Sequence, residues 1–306
     1  MNEHIVEYKS YPFVSVIIPV FNDFERLCLC LKSLERQSYP KELYEVIVVD
    51  NKSVKDPSKE LKDFSWIHLL IEEKPGSYAA RNRGINSAKG DIVAFTDSDC
   101  IPCDSWLQNG VQSLLKSPKY GVAAGKIEIF FKNSQRPNLV EIYDSVTFLQ
   151  QEKYVQKYNS AATANLFTHR KFFDELGFFD DTLKSGGDGE WSKRVSNAGY
   201  LVIYAEDSSV MHPARYMFKD LRRKIARVTG GFHTMENQYS RNKILLLLKL
   251  LLQLRPPLRS GYKKTQEQDI LNSFAHKVSF LLIFSLVHYV TVLEKIRLVL
   301  GGETVR

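Results

Sequence analysis

The sequence has few cysteines and no glycine-rich phosphate loop. Four Cys among 306 residues exclude a disulfide-rich scaffold and fit a reducing compartment. Cys100 and Cys103 form a CxxC pair, but a zinc site would need a second pair of ligands, so we interpret both as ordinary thiols. The turn after the first apolar run, PVFND, is neither GxGxxG nor GxxxxGK[ST]. This argues against a dinucleotide-dependent dehydrogenase and against a P-loop NTPase.

Long apolar segments are also scarce. The N-terminal residues MNEHIVEYKSYP carry charges and lack the apolar core of a secretory signal, so we expect no signal peptide. The two longest apolar runs, residues 244–254 and 278–293, contain 11 and 16 residues. A membrane-spanning helix needs about 17 to 20 such residues. Both runs therefore favour helices that lie in a membrane interface, or that pack on the body or on a second subunit.

The charge is distributed unevenly. Residues 1–214 contain 25 Lys and Arg against 29 Asp and Glu, whereas residues 215–306 contain 17 against 6. We therefore expect a mildly acidic body and a basic, helical C-terminal extension. Such an extension would bind nucleic acid or an anionic membrane surface. Its basic residues alternate with leucine runs rather than with stacking aromatics, which argues for the membrane and against nucleic acid.

Four apolar, β-branched runs in the first hundred residues predict buried strands. The runs are residues 14–20, 44–50, 66–73 and 91–97. Their near-continuous apolar pattern is typical of strands covered on both faces. Helical spacing appears in residues 24–34, and again in a segment that Ser77 is expected to cap and Gly90 to end. This alternation predicts an α/β fold with a mostly parallel sheet flanked by helices.

The patterns after residue 103 are weaker. Predicted helices cover residues 104–116 and 139–155, a short helix ends at Gly177, and another ends before Gly199. The predicted strands are residues 121–131 and 200–207.

Two carboxylates stand directly after the fourth run. Asp97 and Asp99 are two residues apart, so both side chains project to the same side of an extended segment. In open α/β sheets ligands bind beyond the carboxyl ends of the strands, where Asp50 and Asn51 also lie. Adjacent carboxylates repel unless a cation joins them, and Mg²⁺ and Mn²⁺ prefer oxygen ligands. The pair therefore predicts a divalent cation site, with two solvated loop carboxylates as the alternative.

An ordered series of segments resembles the family 2 glycosyltransferases of the GT-A fold. The segments are VSVIIPVFND, EVIVVDNKS, GSYAARNRGINSAKGDIVAFTDSD and FFDELGFFDDTLKSGGDGEWSKRVSNAGY. Their order and spacing, rather than any one of them, carry the resemblance, which extends over residues 13–213. It implies a GT-A catalytic domain over residues 1–214, followed by the basic, apolar extension over residues 215–306.

The resemblance implies a nucleotide-sugar site at the strand ends. The turn after the first strand would line the nucleotide pocket. The pair after the second strand would contact base and ribose, although the family more often has two aspartates where Asp50 and Asn51 stand here. Arg81 would face the diphosphate, with a surface helix arginine as the alternative. The implied nucleotide-sugar-binding residues are Pro19, Val20, Phe21, Asn22, Asp50, Asn51, Arg81, Asp97 and Ser98.

The resemblance further implies a divalent cation, Mn²⁺ or Mg²⁺. One carboxylate of Asp97 and Asp99 would bind the metal, and the other would contact the ribose or a metal-bound water. His212, after the last predicted strand, would approach the metal or the diphosphate unless its role is structural. The implied metal site is therefore Asp97, Asp99 and His212.

Inverting transfer also needs a general base that takes the proton of the acceptor hydroxyl. Alignment of GGDGEW with the family pattern places Asp188 at this position, with Gly187 in place of the usual preceding Glu. A carboxylate that opens a helix is also an ordinary N-cap. Glu190 either shares the site or pairs with Arg194 four residues on. The candidate catalytic residues are Asp188 and Glu190.

The sequence thus predicts a metal-dependent inverting glycosyltransferase with a nucleotide-diphospho-sugar donor, expected to be UDP-linked, and a hydroxyl acceptor. The extension predicts peripheral contact with the cytoplasmic face of the cell membrane, and a lipid-linked saccharide or cell-surface polysaccharide as acceptor. The oligomeric state stays open. One alternative, a sugar nucleotidyltransferase, would need a glycine-rich loop after the first strand. The other is a catalytically silent relative that acts as a membrane scaffold or partner subunit.

Overall fold

One eight-stranded sheet runs through the computed structural model, which describes residues 11–237, 243–266 and 274–305. The strands are β1 Val14–Val20, β2 Tyr44–Asp50, β3 His68–Ile71, β4 Ile92–Thr96, β5 Ile101–Pro102, β6 Tyr120–Phe130, β7 Asn165–His169 and β8 Leu201–Pro213. Their order across the sheet is β3-β2-β1-β4-β7-β6-β8-β5.

The sheet has a parallel half and a mixed half. Strands β3, β2, β1 and β4 pair in parallel. Strand β7 is antiparallel to both β4 and β6, while β6 and β8 are parallel to each other. The predicted α/β fold is confirmed, and the first four strands lie within a few residues of their predicted bounds. The antiparallel β7 makes the whole sheet mixed.

The helices fill the connections and the C-terminal part. They are α1 Phe24–Leu34, α2 Pro57–Glu60, α3 Ser77–Ser87, α4 Trp106–Leu115, α5 Leu139–Thr147, α6 Gln151–Tyr158, α7 Lys171–Leu176, α8 Gly187–Asn197, α9 Phe218–Asn237, α10 Lys243–Leu252, α11 Leu258–Gln266 and α12 Phe274–Val299. The predicted helix over 139–155 is two helices, because Leu149 between them adopts a φ of 55°.

Two predicted helix ends are wrong. Helix α3 begins with Ser77 itself, after Gly76 at φ 139°, so Ser77 does not cap it. The helix ends at Ser87, before Gly90. Gly90 has a different reason to be glycine, since a Cβ there would lie 2.6 Å from the backbone nitrogen of Ser15. Close approach of the chain to β1 therefore decides that position.

The core occupies both faces of the sheet. Alternate residues of β1 point to opposite faces, so that Val16 and Ile18 join one apolar cluster and Ile17 joins the other. Trp191 of α8 is fully buried in the second cluster, stacks on Phe173 at 4.4 Å between ring centroids, and donates its Nε1–H to a backbone carbonyl. Trp191 is thus a core residue.

The C-terminal helices pack on the body through a third cluster. Its buried members are Ile142, Tyr143 and Val146 of α5, Leu221 and Ile225 of α9, and Phe280, Ile283 and Val287 of α12. Helix α12 extends beyond the apolar run of residues 278–293. Its segment Lys277–Val299 has 23 residues and a mean hydropathy of 1.6. By length and composition it could cross a membrane, so the sequence-based view that this run is too short is wrong.

Candidate active site

Hydrogen bonds join the turns that follow β1 and β2. In register Val20 lies opposite Asp50, which brings both strand ends to one edge of the sheet. Asn22, at φ 55°, donates its N–H to Ser53 Oγ at 2.8 Å and accepts from the N–H of Val54 at 2.7 Å. Asp50 accepts from the N–H of Ser53 through Oδ2 at 3.0 Å. Its buried Oδ1 has no hydrogen-bond partner among the described residues.

The Asn51 side chain holds the segment that leads into α3. Its Nδ2 donates to the carbonyls of Glu72 and Lys74, and its Oδ1 accepts from the N–H of Gly76 at 2.7 Å. Asn51 therefore fixes the backbone beside the strand ends. Of the other residues predicted for the nucleotide site, Val20 is buried, Pro19 and Ser98 are half-buried, and Phe21 is exposed.

A chain of contacts connects the acidic pair after β4 to the start of α8. Arg81 of α3 is buried and forms an ion pair and hydrogen bond with Asp97. The Arg81 guanidinium lies 5.7 Å from the ring centroid of Tyr78, and the Tyr78 hydroxyl donates to Asp188 Oδ1 at 3.0 Å. Burial and the Asp188 charge raise the pKa of Tyr78, so its hydroxyl stays a donor. Arg81 is therefore not the surface arginine of the alternative interpretation.

Asp188 is held from three sides. Besides Tyr78, the N–H groups of Gly189 and Thr163 donate to its carboxylate at 3.0 and 3.2 Å. The N-cap of α8 is Gly186, at φ 84°, so Asp188 is not the N-cap that the sequence allowed. A Cβ on Gly187 would lie 2.9 Å from the Tyr78 ring. The close approach of Tyr78 explains why no Glu stands at that position.

Glu190 is engaged in a different contact. Its carboxylate pairs with Arg194, with the Nε and Nη2 of Arg194 at 2.9 and 3.0 Å. Arg194 also donates to the carbonyls of Leu176 and Phe178, which ties α8 to the end of α7. Of the two arrangements that the sequence left open for Glu190, the structure has the pairing with Arg194.

Asp99 and His212 face each other, 3.5 Å apart between Oδ1 and Nε2. His212 lies within β8, opposite Ile129, rather than after the last strand as predicted, because β8 continues to Pro213. Its Nδ1 lies 2.9 Å from the carbonyl oxygen of Pro213, so the nitrogen must donate there. In the neutral ring Nε2 then presents a lone pair to the Asp99 carboxylate. Two facing acceptor atoms are stabilised by a proton or a cation between them.

The surroundings keep Asp99 ionised. Burial by itself raises the pKa of Asp99. His212 in its protonated form, Arg26 and Arg215 lower it more, so the net shift of this pKa is downward. Arg26 of α1 reaches Asp99 at 3.4 Å. Cys100 also lies within 4.8 Å, but burial raises the pKa of its thiol, which points to the carbonyl of Ala164. The donor set of Asp99 and His212 fits a divalent cation, and the four cysteines are free thiols.

Besides Arg26, the sequence missed three cationic residues that lie near these carboxylates. Nη1 of Arg215 donates to both carboxylate oxygens of the buried Asp144, at 2.9 and 3.2 Å. Lys224 and Arg227 of α9, hereafter the α9 cations, lie close enough for Asp97 to act on the pKa of each. The extension containing these residues was predicted to be basic and helical, but the sequence carried no signal for what these cations face.

Comparison with known proteins identifies the family. Residues 15–177 match the family model described as "Glycosyl transferase family 2". Glycosyltransferase AglE of Haloferax volcanii is 43% identical over 73% of this chain and 74% of its own. A Methanococcus voltae protein, named dolichyl N-acetyl-α-D-glucosaminyl phosphate 3-β-D-2,3-diacetamido-2,3-dideoxy-β-D-glucuronosyltransferase, is 25% identical over 61% of this chain and 63% of its own.

Two solved structures share the fold. The mannosyltransferase PcManGT of Pyrobaculum calidifontis, in complex with GDP-Man and Mn²⁺, is 17% identical with a TM-score of 0.64 and covers 96% of this chain and 89% of its own. GalNAc-T7 with UDP, GalNAc and Mn²⁺ is 21% identical with a TM-score of 0.55, over 68% of this chain and 45% of its own. The chain therefore belongs to glycosyltransferase family 2 and is a GT-A glycosyltransferase that uses a nucleotide-sugar donor.

Proposed function

We propose that the protein is an inverting, cation-assisted glycosyltransferase that moves a sugar from a UDP-linked donor to a hydroxyl of a lipid-linked saccharide. The observation that carries this proposal is the chain of contacts from Asp97 through Arg81 and Tyr78 to Asp188. It holds a donor-side carboxylate and a candidate base in one connected group. Residues 1–214 would form the catalytic part and residues 215–306 the extension.

The nucleotide would lie at the carboxyl ends of β1, β2 and β4, which we name the donor edge. The buried Oδ1 of Asp50 has no partner among the residues described, and an unpaired buried acceptor is costly. An N–H of the base or a ribose hydroxyl would satisfy it. Pro19, Val20, Phe21 and Asn22 would line this pocket, while Asn51 shapes it through the backbone of residues 72–76. Arg81 and Ser98 would lie towards the diphosphate.

Asp99 and His212 would hold the divalent cation. Asp97, two residues before Asp99, would stay paired with Arg81. Mn²⁺ and Mg²⁺ both suit carboxylate and imidazole donors, and Mn²⁺ is present in the two solved structures named above. When bound, the cation would supply Lewis-acid stabilisation to the departing diphosphate. The hydrogen bond from His212 to Pro213 would orient the imidazole, as is usual for metal-binding histidines.

Asp188 would take the proton of the acceptor hydroxyl. Oδ1 of Asp188 already accepts from Tyr78 and Gly189, so Oδ2, with the single 3.2 Å bond from Thr163, has the freer lone pair for that proton. Three fixed donors hold the carboxylate in one orientation, which a general base needs. Glu190, predicted beside it, would act through Arg194 as a positioning residue.

The acceptor would be delivered at a membrane surface. Helix α12 presents a stripe of exposed side chains, Val278, Leu282, Leu286 and Leu293, while its opposite side packs inward. Helix α10 exposes Leu248, Leu251 and Leu252. Such apolar faces next to basic residues suit an interfacial position. The printed name of the Methanococcus relative supports a lipid-phosphate-linked saccharide as acceptor.

Calorimetric titration of UDP and of GDP, each with and without Mn²⁺, tests the donor part of this proposal. We expect Mn²⁺-dependent binding of UDP to the wild-type protein and loss of that binding in Asp99→Ala. Binding of GDP but not of UDP would mean that the donor nucleotide carries guanine rather than uracil. Binding of neither nucleotide would leave the silent membrane scaffold as the better account. Flotation with anionic liposomes tests the membrane part, since full-length protein that stays in the soluble fraction would contradict it.

A further inference from the structure

The inner face of α9 points towards the catalytic part. Lys224, Arg227 and Gly231 share one side of the helix through their spacing of three and four residues. A Cβ on Gly231 would lie 2.4 Å from the carbonyl oxygen of Ser185, so the helix backbone touches the loop that leads into Asp188. This contact fixes the direction in which the α9 cations project.

An aromatic ring and a third cation complete the cluster. The Lys224 ammonium lies 5.6 Å, and the Arg215 guanidinium 6.0 Å, from the ring centroid of Phe148. Arg215 has its own counter-charge, the buried Asp144. The α9 cations differ from it, because within the described residues neither side chain forms a hydrogen bond or an ion pair. They are nevertheless partly buried, unlike the exposed Arg222 on the other side of the helix.

The cluster is electrostatically strained. Burial lowers the pKa of Lys224 to about 7, with the charges of Arg227 and Arg215 acting in the same direction. Burial and Arg215 also lower the pKa of Arg227. The carboxylates of Asp188 and Asp97 oppose the shift of Lys224, which places that ammonium within electrostatic reach of the candidate base. A solvated helix face would show none of these shifts.

Partly buried cations without counter-charges favour binding of an anion that can accept several hydrogen bonds. A phosphate does this best, since guanidinium and ammonium groups both donate to its oxygens. Two sources of phosphate exist in the proposed reaction, the donor diphosphate and a phosphate on the acceptor.

We infer that Lys224 and Arg227, flanked by Arg215, form a subsite for the phosphate of a lipid-phosphate acceptor. The inference rests on the proposed function and adds the residues that would recognise the acceptor. The donor edge already has Arg81 at Asp97, and the pair of Asp99 and His212. Helix α9 instead belongs to the layer whose other members, α10 and α12, expose leucines along which a lipid chain can run. The acceptor is thus the better source.

The test is calorimetric binding of hexyl phosphate to the full-length protein already saturated with UDP and Mn²⁺. Hexanol, which lacks the phosphate, is the matched ligand. The variants are Lys224→Met and Arg227→Met, with Arg222→Met as the control that removes one exposed positive charge from the same helix. We expect hexyl phosphate to bind the wild type and Arg222→Met equally. Each inner-face variant should bind it about tenfold to a hundredfold more weakly, as for loss of a charged hydrogen bond.

The outcomes separate this inference from the proposed function. Failure of UDP to bind in the first step contradicts the donor assignment and is read before any hexyl phosphate is added. Displacement of hexyl phosphate by UDP, or weaker UDP binding by Lys224→Met and Arg227→Met, would assign the subsite to the donor diphosphate and overturn the inference. Equal weakening by all three variants, or equal binding of hexanol, would also overturn it. Retained UDP binding shows that each variant is folded.

Discussion

The donor edge and the inner face of α9 both concentrate charge, but only the donor edge neutralises it internally. Asp97 pairs with Arg81, and Asp99 pairs with Arg26, so these two charges are compensated before any ligand arrives. Lys224 and Arg227 lie beside further cations, with no ion pair to either in the described part of the chain. The first arrangement gives a rigid site. The unpaired α9 cations lower the free energy of unfolding, and binding of an anionic ligand would raise it again.

The largest expected effect is on kcat and concerns Asp188, which belongs neither to the donor edge nor to the inner face of α9. Asp188→Asn should lower kcat by about 10²- to 10⁴-fold, because the amide cannot accept the acceptor proton. UDP binding should stay unchanged, since Asp188 lies outside the donor edge. Transfer assays combined with nucleotide calorimetry measure both. Glu190→Gln is the matched control, and we expect it to lower Tm more than kcat. Equal kcat losses in the two variants would place Glu190 in the chemistry.

The next effect tests the compensation at the donor edge. Asp99→Ala should weaken Mn²⁺-dependent UDP binding by about 10- to 100-fold or more, because the carboxylate proposed to bind the metal is lost. Asp23→Ala removes the other carboxylate that pairs with Arg26, at 2.6 Å, and should leave the Mn²⁺ dependence intact. Calorimetry across Mn²⁺ concentrations distinguishes them. Similar losses in both variants would show that Arg26 positioning, rather than metal binding, is at work.

A smaller effect probes the link between the donor edge and Asp188. Gly187→Ala should destabilise the protein by about 1–3 kcal/mol, because its Cβ would meet the Tyr78 ring at 2.9 Å. Tyr78→Ala removes that ring, so the double variant should be more stable than the sum of the single effects allows. A double-mutant cycle from thermal or urea unfolding measures this coupling. Additive effects would mean that Tyr78 does not determine the glycine.

The smallest effect concerns Lys224 in the absence of ligand. Its pKa is about 7 in the folded protein against an ordinary 10.5, so between these values the unfolded chain binds the extra proton. The free energy of unfolding therefore rises with pH across this window, and the group is most costly below pH 7. Lys224→Met should raise Tm at pH 7, by roughly 2–4 °C for each kcal/mol gained in the free energy of unfolding. The rise in Tm should be smaller at pH 10.

Arg222→Met controls for the loss of charge from the helix, and its Tm should not change in this way. A fall of Tm at pH 7 in Lys224→Met would mean that contact of the ammonium with the Phe148 ring stabilises the fold by more than burial of the charge destabilises it.

Hydrophobic patterns along the chain predicted much of the fold. The strands β1, β2 and β4 were predicted almost to the residue because buried parallel strands are continuous apolar runs. The last strand was predicted too short. Its second half buries the polar Ser208 and His212, exposes Met211, and is paired with β6 across a register shift. A periodicity rule cannot recognise such a bulged strand, so His212 was expected in a loop.

The sequence by itself determined the family, the α/β class and the candidate carboxylates Asp97, Asp99 and Asp188, because local patterns and motif order are one-dimensional properties. Tertiary structure alone decided that Tyr78 joins Arg81 to Asp188, that Glu190 is engaged by Arg194, and that α9 places Lys224 and Arg227 near the candidate carboxylates. Tyr78 and Asp188 are 110 residues apart in the chain. Contacts at such separation depend on how whole elements pack, and no local spacing records them.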